Sequence, residues 1–227
     1  MCIITLLIAL DFCNFTPIER KSDSMKLSQV FDRPKLYKLF QSIVSRHGTL
    51  DTVKNEIVKP DQIKSVLDFG CGIGNHSELF KSAHYLGIEP LEACVAVANE
   101  KYASSMVEFK MGNHLDLKSL PVSSFDLVIA IGVLHHIDSE VFIEFVKEAF
   151  RILKPGARLT TFDPVFHKEQ SKMSEWIVKQ DRGSWVRTES EYLEIIQSNF
   201  QGIIDTKIYS KLLRIPYDHI RINAIKS

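Results

Sequence analysis

One run constrains this chain more than any other: Ser65-Val66-Leu67-Asp68-Phe69-Gly70-Cys71-Gly72-Ile73-Gly74-Asn75-His76. Val66, Leu67 and Phe69 are apolar and suit a strand, and three glycines at alternate positions then interrupt it. Glycine accepts positive φ and lets a ligand come close to the backbone, which a Cβ would block. Asn75 is placed to cap a helix that carries Leu79 and Phe80 on one face. Strand, glycine turn and helix together make the nucleotide-binding corner of an open α/β sheet.

The glycine spacing separates kinds of ligand. A dinucleotide fingerprint reads G-x-G-x-x-G, whereas here the third glycine comes one residue early and Asn75 takes the expected place. A phosphate loop would need Gly-Lys-Ser/Thr, and none follows. Asp68, two residues before the first glycine, would repel a pyrophosphate and suit an ammonium-bearing ligand. D-x-G-x-G-x-G resembles motif I of the class I S-adenosylmethionine-dependent methyltransferases.

Residues downstream strengthen the resemblance. Residues 85–89 read as a second strand ending in Glu89, and Pro90 suits the first turn of the helix that follows. Glu89 lies about 20 residues past the first glycine, where such folds place an acid for the ribose hydroxyls. Residues 107–111 alternate as a third strand and lead into Gly112-Asn113-His114. The resembled family often has an aspartate after this glycine to accept from the adenine amino group. Asn113 departs from that pattern, although its amide oxygen still accepts, and Met111 is placed to flank the adenine. Residues 125–131 are nearly continuous and apolar, as a central parallel strand should be. They end in Gly132-Val133-Leu134-His135-His136-Ile137-Asp138. An amphipathic helix over 139–153, a Pro155-Gly156 turn and a strand over 158–162 follow in the family's order. The resemblance covers residues 63–163.

Composition excludes some partners. The chain has 227 residues, with 28 Lys+Arg against 28 Asp+Glu, so no global field favours nucleic acid or an anionic membrane. Cys2, Cys13, Cys71 and Cys94 have no paired spacing and read as reduced thiols of a cytoplasmic protein. Residues 2–10 are apolar but too short to span a bilayer, and stable membrane insertion is not expected. Three readings compete for residues 1–24: an extra element packed on the body, a weak targeting segment, or an extension upstream of a start at Met25. The last is favoured here.

Residues 25–60 carry a helical stripe of Leu36, Tyr37, Leu39, Phe40, Ile43 and Val44. Helices ahead of motif I commonly cover the cofactor pocket in the resembled family, and Tyr37 is the candidate lid. Beyond the core, Thr188 and Glu191 have capping-box spacing before a helix through Phe200. Residues 203–209 and 212–222 read as a closing antiparallel hairpin. The insertion over 164–187 is where substrate recognition would be built, and Arg182 and Arg187 within it could hold a phosphate.

The resemblance implies one methyltransferase domain over 25–227, with cap helices over 25–60 and insertion and hairpin over 164–227. It implies a Rossmann-like, seven-stranded, mostly parallel sheet, with helices on both faces and the last strand antiparallel. S-adenosylmethionine would be the cofactor, held by Asp68, Gly70, Cys71, Gly72, Gly74, Glu89, Pro90, Met111, Asn113, His114 and Ile131. His135 and His136 are the candidate bases, since a hydroxyl acceptor must lose a proton and an imidazole takes it near neutral pH. No metal is expected: His114, His135, His136 and His167 lack metal-ligand spacing.

The acceptor expected is a small molecule, a sugar or surface-polysaccharide precursor, with no nucleic-acid partner. No N/D-P-P-Y motif follows strand four, which argues against adenine or protein glutamine. A quinone-ring C-methyltransferase and a non-catalytic cofactor-binding subunit are the alternatives.

Overall fold

The structure is a computed structural model that describes residues 62–181 and 183–227 together with Asn55. The N-terminal extension, the cap helices with Tyr37, and Arg182 therefore lie outside the described residues.

Five parallel strands carry the fold: β1 (Ser65–Phe69), β2 (His84–Glu89), β3 (Val107–Met111), β4 (Phe125–Ile131) and β5 (Leu153–Phe166). A two-residue β6 (Arg187–Thr188) pairs only with the end of β5. β7 (Gly202–Tyr209) and β8 (His219–Lys226) close the far edge. Among the described residues the sheet has eight strands: seven run in the order β3-β2-β1-β4-β5-β8-β7, β6 lies off that path, and β8 is antiparallel to both of its neighbours. The last strand in the chain is thus the antiparallel one, as expected. Its bounds differ from 212–222, because Pro216 has no N–H for a ladder and pairing begins only at His219.

Alternation along β1 shows why both faces must be covered. Val66 joins Tyr85, Leu127 and Ile129 on one face, under Val95 and Ala98 of α1 (Glu92–Tyr102). Leu67 and Phe69 join Val128 and Ala130 on the other, under Phe142, Phe145 and Val146 of α2 (Ser139–Ile152). Phe69 stacks on Phe145 at 4.5 Å between centroids. Burial on both faces is what a near-continuous apolar run such as β4 demands.

Helix starts follow local chemistry with two exceptions. Asp138 caps α2 by accepting from Val141 N at 2.9 Å, and the Thr188–Glu191 capping box starts the helix Glu189–Asn199. Asn75, by contrast, caps nothing. Gly74 in the left-handed region precedes a 3-10 turn over Asn75–Phe80, and the Asn75 side chain accepts from the Tyr102 hydroxyl instead. Pro90 stands ahead of α1, whose N-cap is Leu91, so it is not in the first turn. The Pro155-Gly156 turn is absorbed into β5, as an irregularity where pairing with β4 shifts between Phe125 and Leu127. Of the cysteines among the described residues, Cys71 is a free buried thiol.

Opposite the site, the sheet's amino edge is clasped by Asp126. One carboxylate oxygen accepts from Lys64 N, Ser65 N and Ser65 Oγ, and the other from Lys154 Nζ at 2.7 Å. Among the described residues, no helix is long and apolar enough to cross a membrane, and no cluster of three metal-ligating side chains occurs.

Candidate active site

The strand order reverses between β1 and β4: the chain leaves β1 towards β2 and β4 towards β5. A crevice outside the carboxyl ends of two such strands is where open α/β sheets bind ligands. The first wall is the glycine loop. Gly70 has φ of 73° and Gly74 of 82°, the left-handed region that a side chain rarely adopts. A Cβ on Gly70 would stand 2.4 Å from Val133 Cγ2, so the missing side chain lets the loop after β4 close against the loop after β1. A Cβ on Gly74 would stand 2.6 Å from the Phe109 ring and hold α1 and β3 away.

Asp68 and Glu89 end β1 and β2, both essentially buried. One oxygen of Asp68 accepts from the Tyr85 hydroxyl and lies 3.0 Å from His76 Nδ1. Its Oδ1 is buried without a hydrogen-bond partner among the described residues. Such an orphan acceptor is costly unless something donates to it, and an ammonium group would. The two Glu89 oxygens accept from Gly72 N at 3.1 Å and Leu91 N at 3.2 Å, so Glu89 also fastens the glycine loop. Burial pushes the Glu89 carboxyl up, the two backbone bonds pull it back, and the Asp68 charge adds to the rise. Burial, with Asp68 and Glu89 nearby, raises the Cys71 thiol far above its ordinary value, so it remains neutral.

Further out along the crevice, Met111 is exposed at the end of β3. The oxygen of Asn113 accepts from Leu115 N at 2.8 Å, leaving that carbonyl one further lone pair. His114 is turned to Glu144 of α2, 3.5 Å away. Ile131 is half-buried at the end of β4.

The second wall is the 3-10 turn Leu134–His136. Asp163, at the carboxyl end of β5, holds it through one oxygen that accepts from Leu134 N at 2.8 Å and His135 N at 3.3 Å. The same oxygen lies 2.9 Å from His135 Nδ1. His135 is fully buried, and its Nε2 is 3.6 Å from Asp181, which in turn accepts from the Tyr217 hydroxyl. Gly183 packs on the same imidazole, and Trp185 N donates to His135 O at 3.0 Å. His136 is half-buried, with its ring centroid 3.9 Å from that of His135.

Arg187 does not face a ligand. It is buried, and its guanidinium donates to Leu134 O, Trp185 O and Ile137 O at 2.8 to 3.1 Å. Its charge lies over the rings of Phe142 and Tyr192. The expected phosphate-holding role is therefore corrected: Arg187 props the histidine turn from beneath. Sequence reasoning missed Asp163, Asp181, His76 and Tyr85. Asp163 alone had a signal, as a third acid at a strand's carboxyl end.

Acid, glycine loop, acid and histidine turn around the switch point of a Rossmann-like sheet resemble the arrangement in class I S-adenosylmethionine-dependent methyltransferase domains. Comparison with known proteins agrees. A family model described as a methyltransferase domain matches residues 67–161, and that stretch is such a domain.

The mouse probable tRNA methyltransferase 9B is 33% identical over 43% of this chain and 21% of its own length. The rice probable chloroplastic tocopherol O-methyltransferase is 33% identical over 42% of this chain and 28% of its own. Among solved structures, an S-adenosylmethionine-dependent methyltransferase from Archaeoglobus fulgidus superposes with a TM-score of 0.66 at 18% identity, over 84% of this chain and 99% of that one. The aligned part is therefore about a fifth of the length of the mouse relative and under a third of the rice one.

Proposed function

We propose that this chain transfers a methyl group from S-adenosylmethionine to a small-molecule acceptor at the carboxyl edge of β1 and β4. The observation that carries the reading is the contact of Gly70 with Val133, which brings the acid-flanked glycine loop and the histidine turn to one crevice. The residues present fit the cofactor. Asp68 Oδ1, buried and unpartnered among the described residues, suits its ammonium group. Glu89 keeps a lone pair on each oxygen for the ribose hydroxyls, and Met111 and Asn113 border the adenine side. When bound, the cofactor supplies a methyl activated on a sulfonium. The protein contributes alignment, dry walls and a proton acceptor.

Of the two histidines, His136 takes the proton of a hydroxyl acceptor, because a base must come within hydrogen-bond reach of it. His135, enclosed between Asp163 and Asp181, positions the turn. A hydroxyl-bearing small molecule, such as a sugar precursor or a ring phenol, suits an imidazole base. The rice relative's name points the same way, while a quinone-ring carbon is the runner-up.

The mouse relative's name favours a second acceptor, tRNA, against which stand the balanced charge and the missing N/D-P-P-Y motif. The test is incubation with methyl-labelled S-adenosylmethionine and fractionated cell extract, followed by mass analysis of what carries label. Label in a low-mass product is expected. Label confined to RNA would move the acceptor to nucleic acid, and cofactor binding with no labelled fraction would mark a non-catalytic subunit.

A further inference from the structure

His76 belongs to none of the roles above. It sits two residues beyond the glycine loop, with Nδ1 3.0 Å from Asp68 Oδ2, the oxygen that also accepts from Tyr85. Asp68 is fully buried and its other oxygen has no partner among the described residues. The His76 side chain keeps 26% of its surface exposed, so the ring bridges the buried acid and the open side of the loop.

We propose that His76 is a second reader of the cofactor's amino-acid end. The imidazolium is held by Asp68 through Nδ1 and donates Nε2–H to the cofactor's carboxylate while Asp68 Oδ1 takes its ammonium. The inference rests on the S-adenosylmethionine reading above. It matches charge to charge: a carboxylate and an imidazolium side by side complement a zwitterion, whereas a lone acid would repel half of it.

The groups facing His76 among the described residues are few. Asp68 of β1 is the only charge in contact, Tyr85 of β2 shares its oxygen, and the Cys71 thiol of the loop is neutral. Burial pushes the Tyr85 phenol, as well as the thiol, well up, so neither competes for charge near neutral pH. Burial also pushes the imidazole down, but the Asp68 charge and hydrogen bond outweigh it, and the ring titrates above its ordinary value. Carboxylate recognition is then present while the ring is protonated and fades as pH rises through that value.

The test is calorimetric binding of S-adenosylhomocysteine and of 5′-methylthioadenosine, which lacks the amino-acid end, from about pH 6 to about pH 8.5. S-adenosylhomocysteine is expected to weaken about tenfold across that range, with no such trend for 5′-methylthioadenosine. His76→Gln should bind S-adenosylhomocysteine weakly at both ends of the range. Should that variant fold poorly, the wild-type imidazole followed by NMR serves instead, with saturating S-adenosylhomocysteine expected to raise its pKa. A flat wild-type profile, or an imidazole pKa that the ligand leaves unchanged, would overturn the role of His76 alone. Failure of both nucleosides to bind at any pH would overturn the cofactor reading beneath it.

Discussion

His135 Nδ1 and Asp163 Oδ1 lie 2.9 Å apart with both side chains buried, joining the turn after β4 to the carboxyl end of β5. Asp163 also accepts the backbone N–H groups of Leu134 and His135, so it holds the turn as well as the ring. Asp163→Ala should therefore cost about 1–3 kcal/mol of stability, because the buried N–H donors of the turn lose their acceptor. Denaturant unfolding checks this. His136→Ala should instead leave stability nearly unchanged and cut turnover on a hydroxyl acceptor by about 10²–10⁴-fold.

Gly70→Ala should lower both stability and cofactor affinity. A left-handed φ of 73° strains any Cβ, and this one would press into Val133. Gly156→Ala is the control, since φ is also positive there but the space is open. Only the first should weaken cofactor binding in calorimetry.

Asp126 should make the sheet acid-sensitive. Burial pushes its carboxyl up, but the bonds from Lys154, Ser65 and Lys64 outweigh that and hold it below the usual range. Its contribution is therefore complete above the unfolded carboxylate pKa of about 4 and is lost as pH falls through the lower folded value. Denaturant unfolding from about pH 6 down to about pH 3 should show a shallower loss for Asp126→Asn than for wild type.

Arg187→Met should destabilise the protein by about 2–4 kcal/mol, since three carbonyls lose charged donors. Turnover should fall with the population of folded protein rather than through the affinity for a phosphorylated acceptor. Scanning calorimetry beside steady-state kinetics separates the two.

Much of this was legible in the sequence because the parallel half of the sheet is written in local terms. β1, β2 and β4 are largely apolar runs ended by glycine or an acid, β3 alternates, and the periodicity of α2 is unmistakable. The capping box at Thr188 and Glu191 likewise depends on neighbours three residues apart. What was not legible depended on distant residues. Asn75 looks like a cap, but Gly74 turns the chain into a 3-10 helix and Tyr102 claims the side chain. Arg187 looked free because two of its three carbonyl partners, Leu134 and Ile137, lie some fifty positions earlier in the chain. The pairing of His135 with Asp163 and Asp181 is likewise long-range, and no spacing rule announces it.

The central claim, that Asp68, the glycine loop and Glu89 hold S-adenosylmethionine, is tested most directly by calorimetric titration with S-adenosylhomocysteine and, separately, with NAD. Micromolar binding of S-adenosylhomocysteine, about −8 kcal/mol, is expected, weakened by about 1–3 kcal/mol in Glu89→Ala. NAD should give no heat. Binding of NAD without any response to S-adenosylhomocysteine would contradict the account.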